Sequence, residues 1–503
     1  MGHLDLLLVL ACVLVLISVL ASKVSSRFGV PALLLFLAVG MLAGSEGVGG
    51  IYFDDAALAR SLGVVALALI LFSGGLDTHV ATIRPVFGRG ILLSTMGTLV
   101  AAALVGLFAT LVTDLSLRDA LLLGAVVSAT DAAAVFAVLR GRDVHLPAPV
   151  RSLLELESGS NDAMAVFLTI ALVGLITHPG SSPLVLLPAF VLEMGLGGLI
   201  GYAMGRVMAG VLNRAQLDHD GLYPVLSLAL VLLTYALTAY AHGNGFLAVY
   251  VAALVMSGRT YIHKRSLTRF HDGLAWLMQI AMFLTLGLLV FPSRIVPVLG
   301  VGVLIAAFLM LVARPLSVYL SLVRSRFDFR EQTLIGWVGL RGAAPIILAT
   351  FPLVAGVPGG ETIFNVVFFI VLVSALVQGT TIPVVARRLG VTGPAYRPEP
   401  IDVGEPVQRR LAEYVLPESS PMVGRQVAHS GLPSNAQAVL VRRYGAYLIP
   451  KGSTRLRRDD ELLLLADEAS LARIDADGEL VSRSGGLSFC TVDEPTVAQR
   501  SVN

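Results

Sequence analysis

Polar residues interrupt an apolar segment, Leu153 to Ile176, with the sequence Glu157-Ser158-Gly159-Ser160-Asn161-Asp162. As an α-helix this segment is long enough to cross a bilayer, which takes about 20 residues. A carboxylate at the middle of a membrane costs about 2.5–3.5 kcal/mol on insertion scales, so an intramembrane acid is by default a functional residue. The stretch therefore predicts a membrane protein that uses a buried acid.

Four of these side chains share one region of the helix surface. Ser158 and Asp162 are four residues apart, as are Glu157 and Asn161, so the two pairs form one polar stripe. Polar stripes of this kind also hold membrane helices together. That alternative stays open for the serines. Uncharged residues would serve as well without the desolvation cost of Asp162, which we therefore expect to bind an ion or a proton.

A second polar pair, Thr130-Asp131, lies near the middle of the preceding apolar segment, residues 119–139. We expect Thr130 to offer carbonyl or hydroxyl oxygens as ligands and Asp131 to balance the dipoles of exposed helix ends. The small residues that follow also allow the alternative of a tight helix crossing with a capped break.

An arginine marks a third anomaly. Arg341 lies in Gly339-Leu-Arg-Gly-Ala-Ala-Pro345, where two glycines and a proline predict an interrupted helix. A buried guanidinium needs a partner, and Glu157 is the best candidate because Asp162 must stay free. The alternative is an arginine that extends to the membrane surface. About 16 Å of helix separates Arg341 from Arg330, which favours a position of Arg341 deep in the membrane.

Composition also indicates a polytopic membrane protein. Of 503 residues, 56% are hydrophobic and only 14% are charged, whereas soluble domains average about 25% charged residues. The net charge of +2 is too small to indicate a nucleic-acid partner. Two cysteines, Cys12 and Cys490, predict neither a disulfide framework nor a thiolate metal site.

We expect about thirteen membrane spans. Met1 to Ser22 lacks a basic start and has a long apolar run, so it is expected to remain as the first span and not as a signal peptide. Segments 119–139 and 331–352 are both interrupted by polar residues and both followed by a long span, as in transporters built from inverted repeats. The predicted spans are 4–22, 29–44, 56–75, 90–113, 119–139, 152–177, 184–212, 221–242, 244–258, 272–291, 295–323, 331–352 and 362–386.

Basic residues are concentrated in alternate loops, with Arg118 and Arg294 as exceptions. By the positive-inside rule these loops face the cytoplasm. With an odd number of spans, the N-terminus is then outside and the C-terminus is cytoplasmic. The basic residues concerned are Lys23, Arg27, Arg84, Arg89, Arg140, Arg142, Arg151, Arg214, Arg259, Lys264, Arg265, Arg269, Arg324, Arg326 and Arg330.

Composition changes after the last span. We expect a linker at 391–412, a small soluble α/β domain at 413–476 and a disordered tail at 477–503, after a membrane domain at 1–390. Gln437–Val441 and Ala446–Ile449 flank Tyr444-Gly445 and predict a β-hairpin. Glu461–Leu465 predicts a further strand, and Glu468–Ile474 predicts a short helix.

These motifs together resemble the cation–proton antiporter superfamily, in its NhaP-type branch. The resemblance rests on Thr130-Asp131, Glu157 to Asp162 and Gly339-Leu-Arg-Gly-Ala-Ala, and it covers about residues 5–390. Val423 to Ile474 resembles the TrkA-C (RCK-C) module, a pairing similar to that of K⁺/H⁺ antiporters of the NhaP/CvrA type. The implied fold is an all-α membrane domain with inverted repeats and two crossing broken helices, followed by a small cytoplasmic α/β domain.

The resemblance implies a role for each residue. Asp162 would hold a cation or a proton in turn, with Asn161 and Ser158 supporting it. Thr130 would supply ligands and Asp131 would balance helix ends, so that K⁺ or Na⁺ would bind at Asp162, Ser158 and Thr130. The internal ion pair would be Glu157 with Arg341. Asn-Asp at 161–162 implies electroneutral exchange. Ala132 replaces the proline found in many sodium-handling relatives, which favours potassium.

The expected function is exchange of cytoplasmic K⁺ for external H⁺ in a bacterial inner membrane, driven by ion gradients and without a cofactor or enzymatic activity. Na⁺/H⁺ exchange is the alternative within transport. A channel would need a filter such as Thr-Val-Gly-Tyr-Gly, which the sequence lacks. A hydrolase is disfavoured because the spans around Ser158 and Ser160 have no histidine. A membrane sensor stays open. The expected partners are membrane lipids, a second copy of the chain and a cyclic dinucleotide at the C-terminal domain.

Overall fold

The computed structural model describes residues 3–28, 31–178, 180, 182–393, 410–433, 435–478 and 480–482. The chain divides into two compact units. The first comprises Met1–Leu212 with Pro224–Tyr396, and the second comprises Asn213–Tyr223 with Arg397–Asn503. Most of the predicted linker and of the predicted tail, residues 394–409 and 483–503, lies outside the described residues.

Helices make up the membrane-spanning part of the chain. They are α1 (His3–Phe28), α2 (Ala32–Ala43), α3 (Ala56–Asp77), α4 (Val80–Val112), α5 (Leu117–Val127), α6 (Ala132–Gly141), α7 (Ala148–Thr177), α8 (Pro183–Arg214), α9 (Leu222–Tyr240), α10 (Gly245–Ser257), α11 (Lys264–Leu288), α12 (Pro292–Leu322), α13 (Phe329–Trp337), α14 (Ala343–Val354) and α15 (Gly360–Leu389).

Each of the thirteen predicted spans coincides with one helix or with one interrupted pair. Within the described residues, seven helices are long and apolar enough to cross a membrane by themselves, and the bent pair α5–α6 makes an eighth span. The apolar part of α1 and the helices α2, α10 and α14 are shorter. The sequence-based prediction of an all-α polytopic domain is confirmed.

The helical domain contains an internal repeat. The helices α4, α5 and α7 begin at residues 80, 117 and 148, and α12, α13 and α15 begin at 292, 329 and 360, a constant offset of 212. Both α4 and α12 contain a π-helical turn, Leu93–Gly97 and Leu309–Ala313. In the predicted order of spans α4 is the fourth and α12 the eleventh, an even and an odd number, as repeats that cross the membrane in opposite directions require. The repeat, with one broken helix in each half, agrees with the predicted inverted repeats.

The second unit contains a small antiparallel sheet. Its strands are β1 (Arg410–Val415), β2 (Gln437–Arg443), β3 (Ala446–Leu448), β4 (Glu461–Ala466) and β5 (Val481–Ser482), in the order β3-β2-β4-β1-β5. Tyr444 and Gly445 both have positive φ, as a two-residue hairpin turn requires. The helix α16 (Glu468–Asp477) follows β4. The predicted hairpin, strand and helix are confirmed, whereas β1 and β5 were not predicted.

Candidate functional site

Two broken helices cross at the centre of the helical unit. The first break lies between α5 and α6 and the second between α13 and α14. The backbone N–H of Asp131 in the first break donates to the carbonyl oxygen of Leu340 in the second, at 2.8 Å. A Cβ placed on Gly342 would overlap the carboxylate of Asp131, so glycine is what allows this close approach. The predicted crossing of two breaks is present.

Asp131 caps the helix that leaves the first break. It precedes α6, and its carboxylate accepts a hydrogen bond from the N–H of Ala134 at 3.0 Å. Free N–H groups at a helix start cost several kcal/mol inside a membrane unless they are satisfied, and a carboxylate also complements the helix dipole. Asp131 is thus the N-cap of α6.

Thr130 is held by the polar stripe of α7. Its carbonyl oxygen accepts a hydrogen bond from Ser158 Oγ at 3.0 Å, and its Oγ1 accepts one from Asn161 Nδ2 at 2.6 Å. Ser158 Oγ in turn accepts the N–H of Ala132 at 3.0 Å. The structure thus connects Thr130, Ser158 and Asn161 in one network across the break.

Asp162 lies next to this network. The residue is 7% exposed, and Asn161 beside it is fully buried. Within the described part of the chain, Oδ1 of Asp162 accepts no hydrogen bond, and neither does Oδ1 of Asn161. A buried, unsatisfied carboxylate oxygen is costly unless a proton or a cation satisfies it.

A cavity joins Asp162 to the protein surface. It measures about 690 Å³, and Thr130, Asp131, Ser158 and Asp162 contribute to its wall. Arg140, at the far end of α6, also lines the cavity and is exposed. Water and ions can therefore reach Asp162 from the end of the helical unit at which α6 meets α7.

The ion pair predicted between Glu157 and Arg341 is wrong. Glu157 pairs with Arg314 of α12, through two hydrogen bonds of 2.5 and 2.8 Å. The two side chains are 1% and 3% exposed. Two parallel bonds between a guanidinium and a carboxylate form the strongest common ion-pair geometry, so Glu157 is fully engaged away from Arg341.

Arg341 instead binds backbone carbonyl groups. Its Nη1 donates to the carbonyl oxygens of Ser128 and Ala129 at 2.6 and 2.7 Å. These groups lie at the end of α5, where carbonyl oxygens without helical partners carry partial negative charge. A buried arginine can therefore be satisfied by a broken helix end without a carboxylate, which the sequence-based prediction did not consider.

Arg314 is the site residue that the sequence-based reasoning missed. It lies within the apolar span α12, directly after the π-helical turn Leu309–Ala313. The criterion that identified Arg341, a charge deep in an apolar segment, would also have identified Arg314. Its partner could not have been found this way, because Glu157 lies 157 positions earlier in the sequence.

The fold and the site define a class of protein: a membrane transporter with inverted repeats, crossed helix breaks and a cavity ending at a buried carboxylate. Comparisons with known proteins identify the family of this chain. The sodium/hydrogen exchanger transmembrane family matches residues 12–388, and the TrkA-C domain family matches residues 411–476. The chain therefore belongs to the sodium/hydrogen exchanger family and carries a TrkA-C domain.

Similar proteins include the K⁺/H⁺ antiporter NhaP of Alkalimonas amylolytica, 39% identical over 94% of this chain and 83% of the relative. The K⁺/H⁺ antiporter NhaP2 of Shewanella oneidensis is 40% identical over 92% of this chain and 81% of the relative. Among solved structures, the sodium proton antiporter MjNhaP1 of Methanocaldococcus jannaschii matches with a TM-score of 0.68. That match covers 77% of this chain and 99% of the other at 22% identity, and it supports the fold.

Proposed function

We propose that this antiporter exchanges cytoplasmic K⁺ for external H⁺, one for one, at Asp162. The proposal rests on one observation: Asp162, whose Oδ1 has no hydrogen-bond partner in the described residues, lines a cavity that reaches the surface. Around it the network of Thr130, Ser158 and Asn161 offers neutral oxygens. Alkali cations are bound by oxygen ligands of this kind.

Exchange follows from competition at the carboxylate. A proton neutralises Asp162, and so does a bound cation, and the neighbouring carboxylates among the described residues have other roles. Asp131 caps α6, and Glu157 is paired with Arg314. If the helices rearrange between inward and outward access only when Asp162 is neutralised, each cation that leaves is replaced by a proton.

The curated relatives favour potassium. The two that match over nine-tenths of this chain are named K⁺/H⁺ antiporters.

The proposed location is the bacterial inner membrane, with the N-terminus outside and the C-terminal domain in the cytoplasm. The alternation of basic loops supports this orientation. It would make the end of the cavity at Arg140 the cytoplasmic end, so that the structure represents an inward-open state.

Purified protein in vesicles tests the function. With a pH gradient imposed, adding K⁺ should collapse the gradient in wild-type vesicles, with Rb⁺ and Na⁺ compared at equal concentrations. Vesicles with Asp162→Asn should show no response. A faster response to Na⁺ than to K⁺ would show that Na⁺, and not K⁺, is the preferred cation. Cation leak without proton movement would indicate a channel, and no flux of either ion would indicate a sensor.

We also propose that residues 1–390 form the exchanger and that residues 413–476 form a regulatory TrkA-C domain beyond a linker at 391–412. The chain would act as a homodimer in lipid and bind a cyclic dinucleotide at that domain. The two family matches, to 12–388 and 411–476, support this division. Titration of the full-length protein with cyclic di-AMP tests the last point, and absence of saturable binding would exclude that ligand.

A further inference from the structure

Two polar side chains of α15 contact the second break and have no role in the exchange described above. Ser374 and Gln378 are four residues apart, so they lie on the same face of this uninterrupted helix. They are 0% and 1% exposed. Buried polar side chains at membrane depth need partners, and here the partners are backbone groups at both ends of the break.

Three hydrogen bonds join the two ends. The N–H of Arg341 donates to Ser374 Oγ at 3.0 Å, Ser374 Oγ donates to Gln378 Oε1 at 2.5 Å, and Gln378 Nε2 donates to the carbonyl oxygen of Trp337 at 2.8 Å. All donors and acceptors are complementary. Reversing the Gln378 amide would set its oxygen against the carbonyl oxygen of Trp337, where neither atom can donate a hydrogen bond. The pair therefore fixes the last residue of α13 relative to the approach to α14.

The fixed break in turn holds the first break. Arg341 donates to the carbonyl oxygens of Ser128 and Ala129, and Leu340 accepts the N–H of Asp131. Thr130 lies between these anchored residues. Hydrogen bonds therefore connect α15 to the second break, and the second break to the residues on either side of Thr130.

We propose that Ser374 and Gln378 are positioning residues for the cation site, an inference that rests on the proposed function. They hold the second break, and through Arg341 and Leu340 they hold the oxygens of Thr130 in the geometry that binds a cation. Both act through other residues. Their loss should therefore weaken cation binding strongly and reduce the maximal exchange rate much less.

Vesicle exchange tests this with Gln378→Met, which keeps the side-chain length and removes both polar groups, and with Ser374→Ala. Each should raise the half-saturating K⁺ concentration about tenfold, the scale of a broken buried hydrogen bond. Ser374→Thr keeps the hydroxyl and should restore a value near wild type. The matched control is Thr380→Val on the same helix, because Thr380 is exposed and its hydroxyl donates to carbonyls of its own helix.

The double variant adds a test that a merely structural role would not pass. Ser374 and Gln378 form one chain of bonds, so removing both should cost no more than the worse single change. Rates are expressed per folded protein, and K⁺-dependent thermal stabilisation of purified protein provides a second measure of binding. If Gln378→Met does not fold, Ser374→Ala and Ser374→Thr still decide the outcome through the same two measurements.

Unchanged half-saturation in both single variants, or additive losses in the double variant, would overturn the proposal. A fall in the amount of folded protein with normal K⁺ dependence would also overturn it. These results differ from failure of the proposed function, in which the wild-type protein itself would not exchange K⁺ for H⁺.

Discussion

The Glu157–Arg314 pair makes the strongest prediction about stability. Unit charges about 4 Å apart attract by about 4 kcal/mol at an effective dielectric constant of about 20. Both side chains are almost fully buried, so removing one partner leaves a charge without compensation and costs about 3–5 kcal/mol. We therefore expect Glu157→Gln and Arg314→Met each to destabilise the protein strongly. The double variant should recover most of the loss.

The assay is thermal unfolding of purified protein in detergent, followed by intrinsic fluorescence. In a chain of this size, a change of 1 kcal/mol in the free energy of unfolding shifts the midpoint temperature by on the order of 2 °C. Each single variant should therefore unfold on the order of 6–10 °C below wild type. A parallel cycle pairs Glu157→Gln with Arg341→Met. Because Arg341 binds carbonyl groups and not Glu157, this second cycle should be close to additive.

Two results would refute the reasoning. One is a double variant of Glu157 and Arg314 whose loss equals the sum of the single losses. The other is a stronger coupling of Glu157 to Arg341 than to Arg314, which would restore the pair that the sequence alone predicted.

Three further predictions concern the breaks and the C-terminal domain. Ala132→Pro removes the N–H that donates to Ser158 Oγ and suits the first position of α6. Because the resemblance to sodium-handling relatives associates proline at this position with Na⁺, the ratio of Na⁺ to K⁺ exchange rates should rise about fivefold, the scale of one hydrogen bond; an unchanged ratio would contradict this. Gly342→Ala places a Cβ against Asp131 and should cost about 1–3 kcal/mol of folding stability by overpacking. The variant should unfold at a lower temperature and exchange ions more slowly. A wild-type exchange rate would show that the two breaks can separate freely. Burial and the hydrogen bond to Asp475 raise the pKa of Tyr414 to about 12. Because this pKa is above the ordinary value, the contribution of Tyr414 to folding stability is complete below about pH 10. It is lost as the pH rises toward 12. Loss of TrkA-C structure between these pH values, followed by circular dichroism, should be smaller in Tyr414→Phe, and identical profiles would refute it.

Much of the fold could be predicted because the membrane environment ties the sequence pattern closely to the secondary structure. A bilayer demands long apolar helices, so hydropathy locates the spans, and polar residues within them mark exceptions. Asp131 and Asp162 were identified in this way. The glycines and proline of Gly339–Pro345 likewise predicted the second break, which the structure places between Trp337 and Ala343.

The partners of the buried charges could not be predicted in the same way. Arg341 and Arg314 look alike in the sequence, since each is an arginine within an apolar span. The first faces the open end of α5 and the second faces Glu157. Only the packing of α12 against α7 and the crossing of the breaks decide between these partners. The contacts of Ser374 and Gln378 have the same origin, because the backbone groups that they bind become free only where the helix breaks.

Proton release on K⁺ binding measures the competition at Asp162 most directly. Purified protein is titrated with K⁺ at constant pH by calorimetry in two buffers of different ionisation enthalpy, which gives the number of protons released for each cation bound. At a pH where the empty site is protonated, the wild-type protein should release one proton for each K⁺, and Asp162→Asn should release none. Saturable K⁺ binding without proton release in the wild type, or equal release in both proteins, would contradict a shared site.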